Sequence, residues 1–145
     1  MSQIELARAI HDLVESECSS AAFYTTLAGT ATDPEVVRFF EEMAKAETRH
    51  AEALETLVHK LPQDLANLAP SGALGRAEIA MGWGSADGLS LREAMELAME
   101  AEQNAQLVFD ALAETNGGMA GELFARLARA EAAHVEQLQQ AMAEL

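Results

Sequence analysis

Two seven-residue stretches, AETRHAE at 46–52 and AEAAHVE at 130–136, repeat one spacing of a carboxylate and an imidazole. Glu47 precedes His50 by three residues, and Glu131 precedes His134 by three. On a helix, residues three apart share a face, so each pair projects its two side chains together. Oxygen and imidazole donors aimed at one point suit Fe, Mn or Zn. A single Glu-x-x-His on a helix is more often a solvated polar pair than a ligand set. The two readings are separated by the helix face each pair occupies and by which other carboxylates reach it.

Apolar periodicity predicts four long helices around these pairs. The first spans about Ser2 to Ala28, with Ile10, Leu13, Val14, Ala21, Tyr24 and Ala28 on one stripe. Asp33-Pro34 opens the second, with Asp as N-cap and Pro at the first helical position. It runs to about Lys60, with Val36, Phe40, Met43, Leu54 and Leu57 on one face, and Pro62 ends it. Ser90-Leu-Arg-Glu93 reads as a capping box opening the third. That helix runs to about Thr115, carrying Leu91, Met95, Ala98, Ala105, Phe109 and Leu112 inward. The break NGG at 116–118 precedes the fourth, with Phe124, Leu127, Leu138 and Met142 inward.

The organisation is that of a single domain over 1–145: a helical hairpin at 2–60, a crossover at 61–89 and a second hairpin at 90–144. Short links force antiparallel neighbours, and the long middle segment can cross a bundle. An up-down-down-up four-helix bundle is therefore expected rather than up-down-up-down. Within the crossover, ALGRAEIAMGWG (73–84) includes a short helix, and Trp83 is read as sealing the segment against the bundle. The hairpins are internal repeats. RFFEEMAKAETRHAEAL and ELFARLARAEAAHVEQL align with Phe40 on Phe124, Glu47 on Glu131 and His50 on His134. The helices before them align Glu17 with Glu102 and Tyr24 with Phe109.

Glu17 and Glu102 also lie on apolar stripes, so four carboxylates are aimed into hydrocarbon. A buried ionised carboxylate without compensation costs several kcal/mol. No Lys or Arg lies on these inner faces, whereas two divalent cations would balance four negative charges.

One Glu from each of two helices plus Glu-x-x-His from each of the other two is the donor set of ferritin-like di-iron or di-manganese proteins. On these residues the chain resembles the rubrerythrin-like branch of the ferritin-like superfamily, over all four helices. The resemblance implies that Glu17 and Glu102 each bind one metal terminally. It implies that Glu47 and Glu131 bridge both metals, and that His50 and His134 each cap one. Two metal ions per bundle are expected, iron foremost, with Mn and Zn suited to the same donors. The implied activity is that of a di-iron oxidoreductase, reducing peroxide or dioxygen as Fe(II) is oxidised. Peroxidase and ferroxidase readings both stay open. The alternative is a non-catalytic metal-binding protein for iron storage or delivery or structural zinc; a helical interaction module needing no metal is the third reading. The departures from the pattern are specific. Met99 and Ala105 flank Glu102 where rubrerythrins place a further carboxylate. Thr48 stands where bacterioferritins carry a haem-ligating Met. No fifth helix is expected after Leu145, so neither haem nor a cage is.

Composition bounds the rest. Among 145 residues half are hydrophobic and only 5% aromatic, which favours a helical core over a sheet. The net charge of −15 argues against nucleic acid and anionic membranes as partners. A single cysteine excludes an internal disulfide and a Cys-x-x-Cys rubredoxin domain. Electrons would then come from an external donor protein. No stretch has the length of a membrane span, and MSQIELARAI is too polar for a secretory leader, so a cytoplasmic location is expected. A homodimer is expected for a bundle of this size. His11 and His59 lack a Glu three residues before them and read as surface residues. Cys18 and Tyr24 read as packing, and Met43, Met95, Met99 and Met142 as core filler.

Overall fold

The structure is a computed structural model that describes residues 1–68 and 88–145. It divides into two compact units, Met1–Ala80 and Met81–Leu145. Its regular elements are α1 (Gln3–Thr30), α2 (Pro34–His59), α3 (Gln63–Ala66), α4 (Leu91–Thr115) and α5 (Gly118–Ala143). The fold class is all-α, as the periodicity predicts. The expected short helix at 73–84 and Trp83 lie outside the described residues.

In the first unit α1 and α2 form an antiparallel hairpin. A capping box starts α1: the Glu5 amide donates to Ser2 Oγ at 3.1 Å and the Ser2 amide donates to Glu5 Oε2 at 2.9 Å. The Asp33 carboxylate accepts from the Glu35 amide and Pro34 takes the first turn of α2, the start predicted from Asp33-Pro34. Ile10, Leu13 and Tyr24 of α1 meet Phe40, Met43 and Leu54 of α2, none more than 2% exposed. Burying each of these larger side chains contributes about 1.5–3 kcal/mol. Val14, Ala21, Ala28 and Val36, expected inward, are only partly buried. They flank the stripe's centre rather than occupy it. Pro62 ends α2 and also opens α3, a single turn whose Leu65 packs beneath the hairpin.

The second unit repeats this plan. The Ser90–Glu93 capping box is present, with the Glu93 amide donating to Ser90 Oγ at 3.1 Å and the Ser90 amide to Glu93 Oε1 at 3.2 Å. The Ser90 backbone amide first, and the Ser90 side chain second, hold the Glu93 carboxyl below its ordinary pKa. The Asn116 side-chain amide donates to the Leu112 carbonyl and closes α4. Gly118 then turns the chain at φ +64°, a conformation that suits glycine. A Cβ on Gly121 would run into the Asn116 carbonyl, so the close return of α5 onto α4 requires glycine there. At the other end of the hairpin, Arg92 donates to the Met142 carbonyl at 3.1 Å, placing a cation at the C-terminus of α5.

The sequence repeat is visible in the packing. Tyr24 stacks on Phe40 with centroids 6.1 Å apart and planes at 22°. Phe109 stacks on Phe124 at 6.4 Å and 25°. Each unit therefore buries the same aromatic pair two turns from its inward glutamate.

Candidate metal centre

Each hairpin brings its expected donors to one place. In the first, α1 supplies Glu17 and α2 supplies Glu47 and His50. One ligand atom from each lies within 4.8 Å of the others. His50 Nδ1 stands 3.5 Å from Glu17 Oε2 and 3.6 Å from Glu47 Oε2. In the second, α4 supplies Glu102 and α5 supplies Glu131 and His134, with the same 4.8 Å limit. His134 Nδ1 stands 3.4 Å from Glu102 Oε2 and 3.7 Å from Glu131 Oε2. The two triads agree to within a few tenths of an ångström, as a duplicated hairpin should.

These separations are longer than good N–H···O hydrogen bonds. Donors held about 2.1 Å from one metal in tetrahedral or octahedral directions would stand about 3.0–3.4 Å apart. The spacing is near that of a ligand shell and needs only small side-chain movements to reach it.

Burial sharpens the case. Glu17 and Glu102 are 2% exposed, and Glu47 and Glu131 are 1%. Every Lys and Arg among the described residues is exposed, so no basic side chain is buried beside the carboxylates. Each triad has one imidazole to set against two carboxylates. Carboxylate oxygen and imidazole nitrogen in this ratio fit a hard or borderline divalent cation.

Several neighbouring residues sit differently from the sequence expectation. Cys18, read as packing, is exposed. It lies about 100° around α1 from Glu17, which turns it off the inward stripe. Partial burial of its sulfur pushes the thiol pKa up, and the carboxylates of Glu55, Glu17 and Glu15 add to this. Cys18 is thus a poor nucleophile at neutral pH. His59 is exposed as expected, but His11 is partly buried, with its Nε2 shielded from solvent. Tyr24 is fully buried core, as expected. Met43 and Met95 are buried, while Met99 and Met142 are only partly so. Asp12, Ser16 and Ser20 are a further surprise, being 1%, 3% and 8% exposed. Their four-residue spacing along α1 was the available signal, and a search for apolar stripes passes over it.

An all-α fold carrying inward carboxylate–histidine triads is that of the ferritin-like helical bundles. The family model for rubrerythrin matches residues 6–142, and the chain belongs to the rubrerythrin family. No curated protein and no solved structure matches the chain. Among the described residues no helix is long and apolar enough to cross a membrane.

Proposed function

We propose that this chain is a non-haem di-iron oxidoreductase that reduces peroxide. The observation that carries this reading is the pair of equal Glu, Glu, His triads, each with both carboxylates almost wholly buried. The reading takes the triads as the two halves of one dinuclear centre. Glu47 and Glu131 would bridge, Glu17 and Glu102 would bind terminally, and His50 and His134 would cap. Four carboxylates against two divalent ions give a neutral core, which is what a low-dielectric interior favours.

When bound, two Fe(II) ions supply one electron each, so one peroxide and two protons become two waters as the iron becomes Fe(III). The chain's own part is positioning and exclusion. α1 with α2, and α4 with α5, hold the donors on rigid helices rather than loops. The Tyr24–Phe40 and Phe109–Phe124 stacks pack the hairpins two turns from the inward glutamates. Dioxygen is the second oxidant the reading admits. Re-reduction falls to an external donor protein in this reading. A reducing, cytoplasmic setting belongs to the same proposal.

The test is anaerobic loading with Fe(II), followed by measured additions of hydrogen peroxide. The proposal expects about one peroxide consumed per two irons oxidised. It also expects a near-ultraviolet absorption that bleaches with reductant and returns with peroxide. Tightly bound metal that never responds to peroxide would leave the storage or structural reading in its place.

A further inference from the structure

The two hairpins agree at their inward donors but not beside them. The alignment that sets Glu17 on Glu102 also sets Asp12 on Leu97, Ser16 on Ala101 and Ser20 on Ala105. In α1 the three polar residues are buried. In α4 the matching Ala101 and Ala105 are buried and Leu97 is half-buried. The second hairpin builds the same positions from apolar side chains, so the fold itself does not demand a polar row. A buried carboxylate and two buried hydroxyls are also costlier to hold in an interior than Leu and Ala.

The row has a direction. Arg8, one turn before Asp12, is exposed, so the row starts near the surface. Asp12, Ser16 and Ser20 follow at four-residue steps, which sets their Cβ atoms about 5–6 Å apart, a gap that side-chain oxygens or one shared water can bridge. Each step advances the row about 40° around the helix, toward the bearing of Glu17. Asp12 lies about 140° from that bearing and Ser20 about 60°. Ser20 is also three residues from Glu17, a spacing at which helix side chains are neighbours. The row thus leads from the surface end of α1 to the first triad.

We propose that Asp12, Ser16 and Ser20 form a proton path that supplies the first triad during peroxide reduction. The inference rests on the reading of the triads as one dinuclear centre that reduces peroxide. That reaction breaks one O–O bond, forms two O–H bonds, and takes two electrons and two protons per peroxide. The electrons come from the two Fe(II) ions, and the protons must cross a buried interior. A hydroxyl accepts a proton on its oxygen as it releases its own, so Ser16 and Ser20 pass protons on without gaining net charge. Asp12 takes each proton at the solvent end and returns to carboxylate when it hands it on. Leu97, Ala101 and Ala105 have no group that can do this, so the supply is one-sided.

The test compares wild type with Asp12→Asn and with the double variant Ser16→Ala, Ser20→Ala, whose alanines α4 already has at these positions. In Mn(II)-loaded protein, without turnover, the paramagnetic ion relaxes protons that reach it and return to bulk water. Both variants should lose most of this proton relaxation. Relaxation of the water oxygen, which follows whole water molecules, should stay at the wild-type value. With Fe(II) bound, oxidation by peroxide should slow about 100-fold in both variants, the scale of a positioned proton donor. Helical circular dichroism and Mn(II) retention certify each variant, and either variant alone is decisive. A purely structural row would shift the unfolding midpoint and leave proton relaxation and oxidation rate unchanged, which overturns the proposal. So does a loss of proton relaxation matched by an equal loss for oxygen, because water access would then have changed instead. Wild type that holds iron but never responds to peroxide removes the reading beneath the proposal. Wild type that responds while both variants match it removes the proposal alone.

Discussion

Replacing Glu131 by Gln removes one negative charge from the second unit's triad and keeps its shape. The glutamate is 1% exposed, and its Oε2 lies 3.7 Å from His134 Nδ1. In metal-free protein that buried charge carries an effective penalty of several kcal/mol, of which a single imidazole shared with Glu102 recovers part. The net gain on neutralising it should be about 1–2 kcal/mol of stability in the presence of chelator. In metal-loaded protein the sign reverses. Gln is a poorer ligand than a carboxylate, so metal affinity should fall about 100-fold, removing about 2.7 kcal/mol of stabilisation by bound ligand. Urea unfolding followed by circular dichroism, with chelator and with anaerobic Fe(II), reads both effects as midpoint shifts. Wild type and Glu131→Gln should exchange rank order between the two conditions. Equal destabilisation in both would refute the reasoning, because it would make Glu131 a structural hydrogen-bonding residue rather than a carboxylate held for a cation.

Three further outcomes follow from the helices. Gly121→Ala should cost about 1–3 kcal/mol by thermal denaturation, since the new Cβ meets the Asn116 carbonyl; an unchanged Tm would show that α5 docks differently. Phe124→Ala should cost about 3–5 kcal/mol, because Phe124 is fully buried and stacked on Phe109. Ser90→Ala should cost about 1 kcal/mol near neutral pH. The partner carboxyl, Glu93, has a lowered folded-state pKa, so its contribution is full above the ordinary carboxylate range and is lost as pH falls through the lowered value. The wild-type advantage over Glu93→Gln, which cannot ionise, should therefore shrink in acid, which paired denaturation curves across that range would show.

The helices were legible because their starts are local chemistry. Asp33-Pro34 and Ser90–Glu93 act within one turn, so a few residues suffice to place them. The clustering of these Glu and His residues was legible because duplication states the pattern twice: Glu47–His50 and Glu131–His134 reinforce each other, and Glu17 and Glu102 align ahead of them. What periodicity missed are polar residues buried by surroundings it cannot represent. Asp12, Ser16 and Ser20 are polar and belong to no apolar stripe, yet all are buried. Cys18 shows the converse, since a residue type that usually packs inward stands exposed when its angle on the helix turns it outward. The one-turn α3 is too short for any periodic signal, and only Pro62 hints at it.

The central claim is that the two buried triads hold a pair of metals together. Its most direct test is elemental analysis after anaerobic Fe(II) loading and removal of loose metal, on wild type and on variants lacking His50 or His134. The account predicts about two irons per chain in wild type, and loss from either variant, as a shared dinuclear centre requires. Iron that fails to stay with wild-type protein, or that remains at full stoichiometry when either histidine is gone, would contradict it.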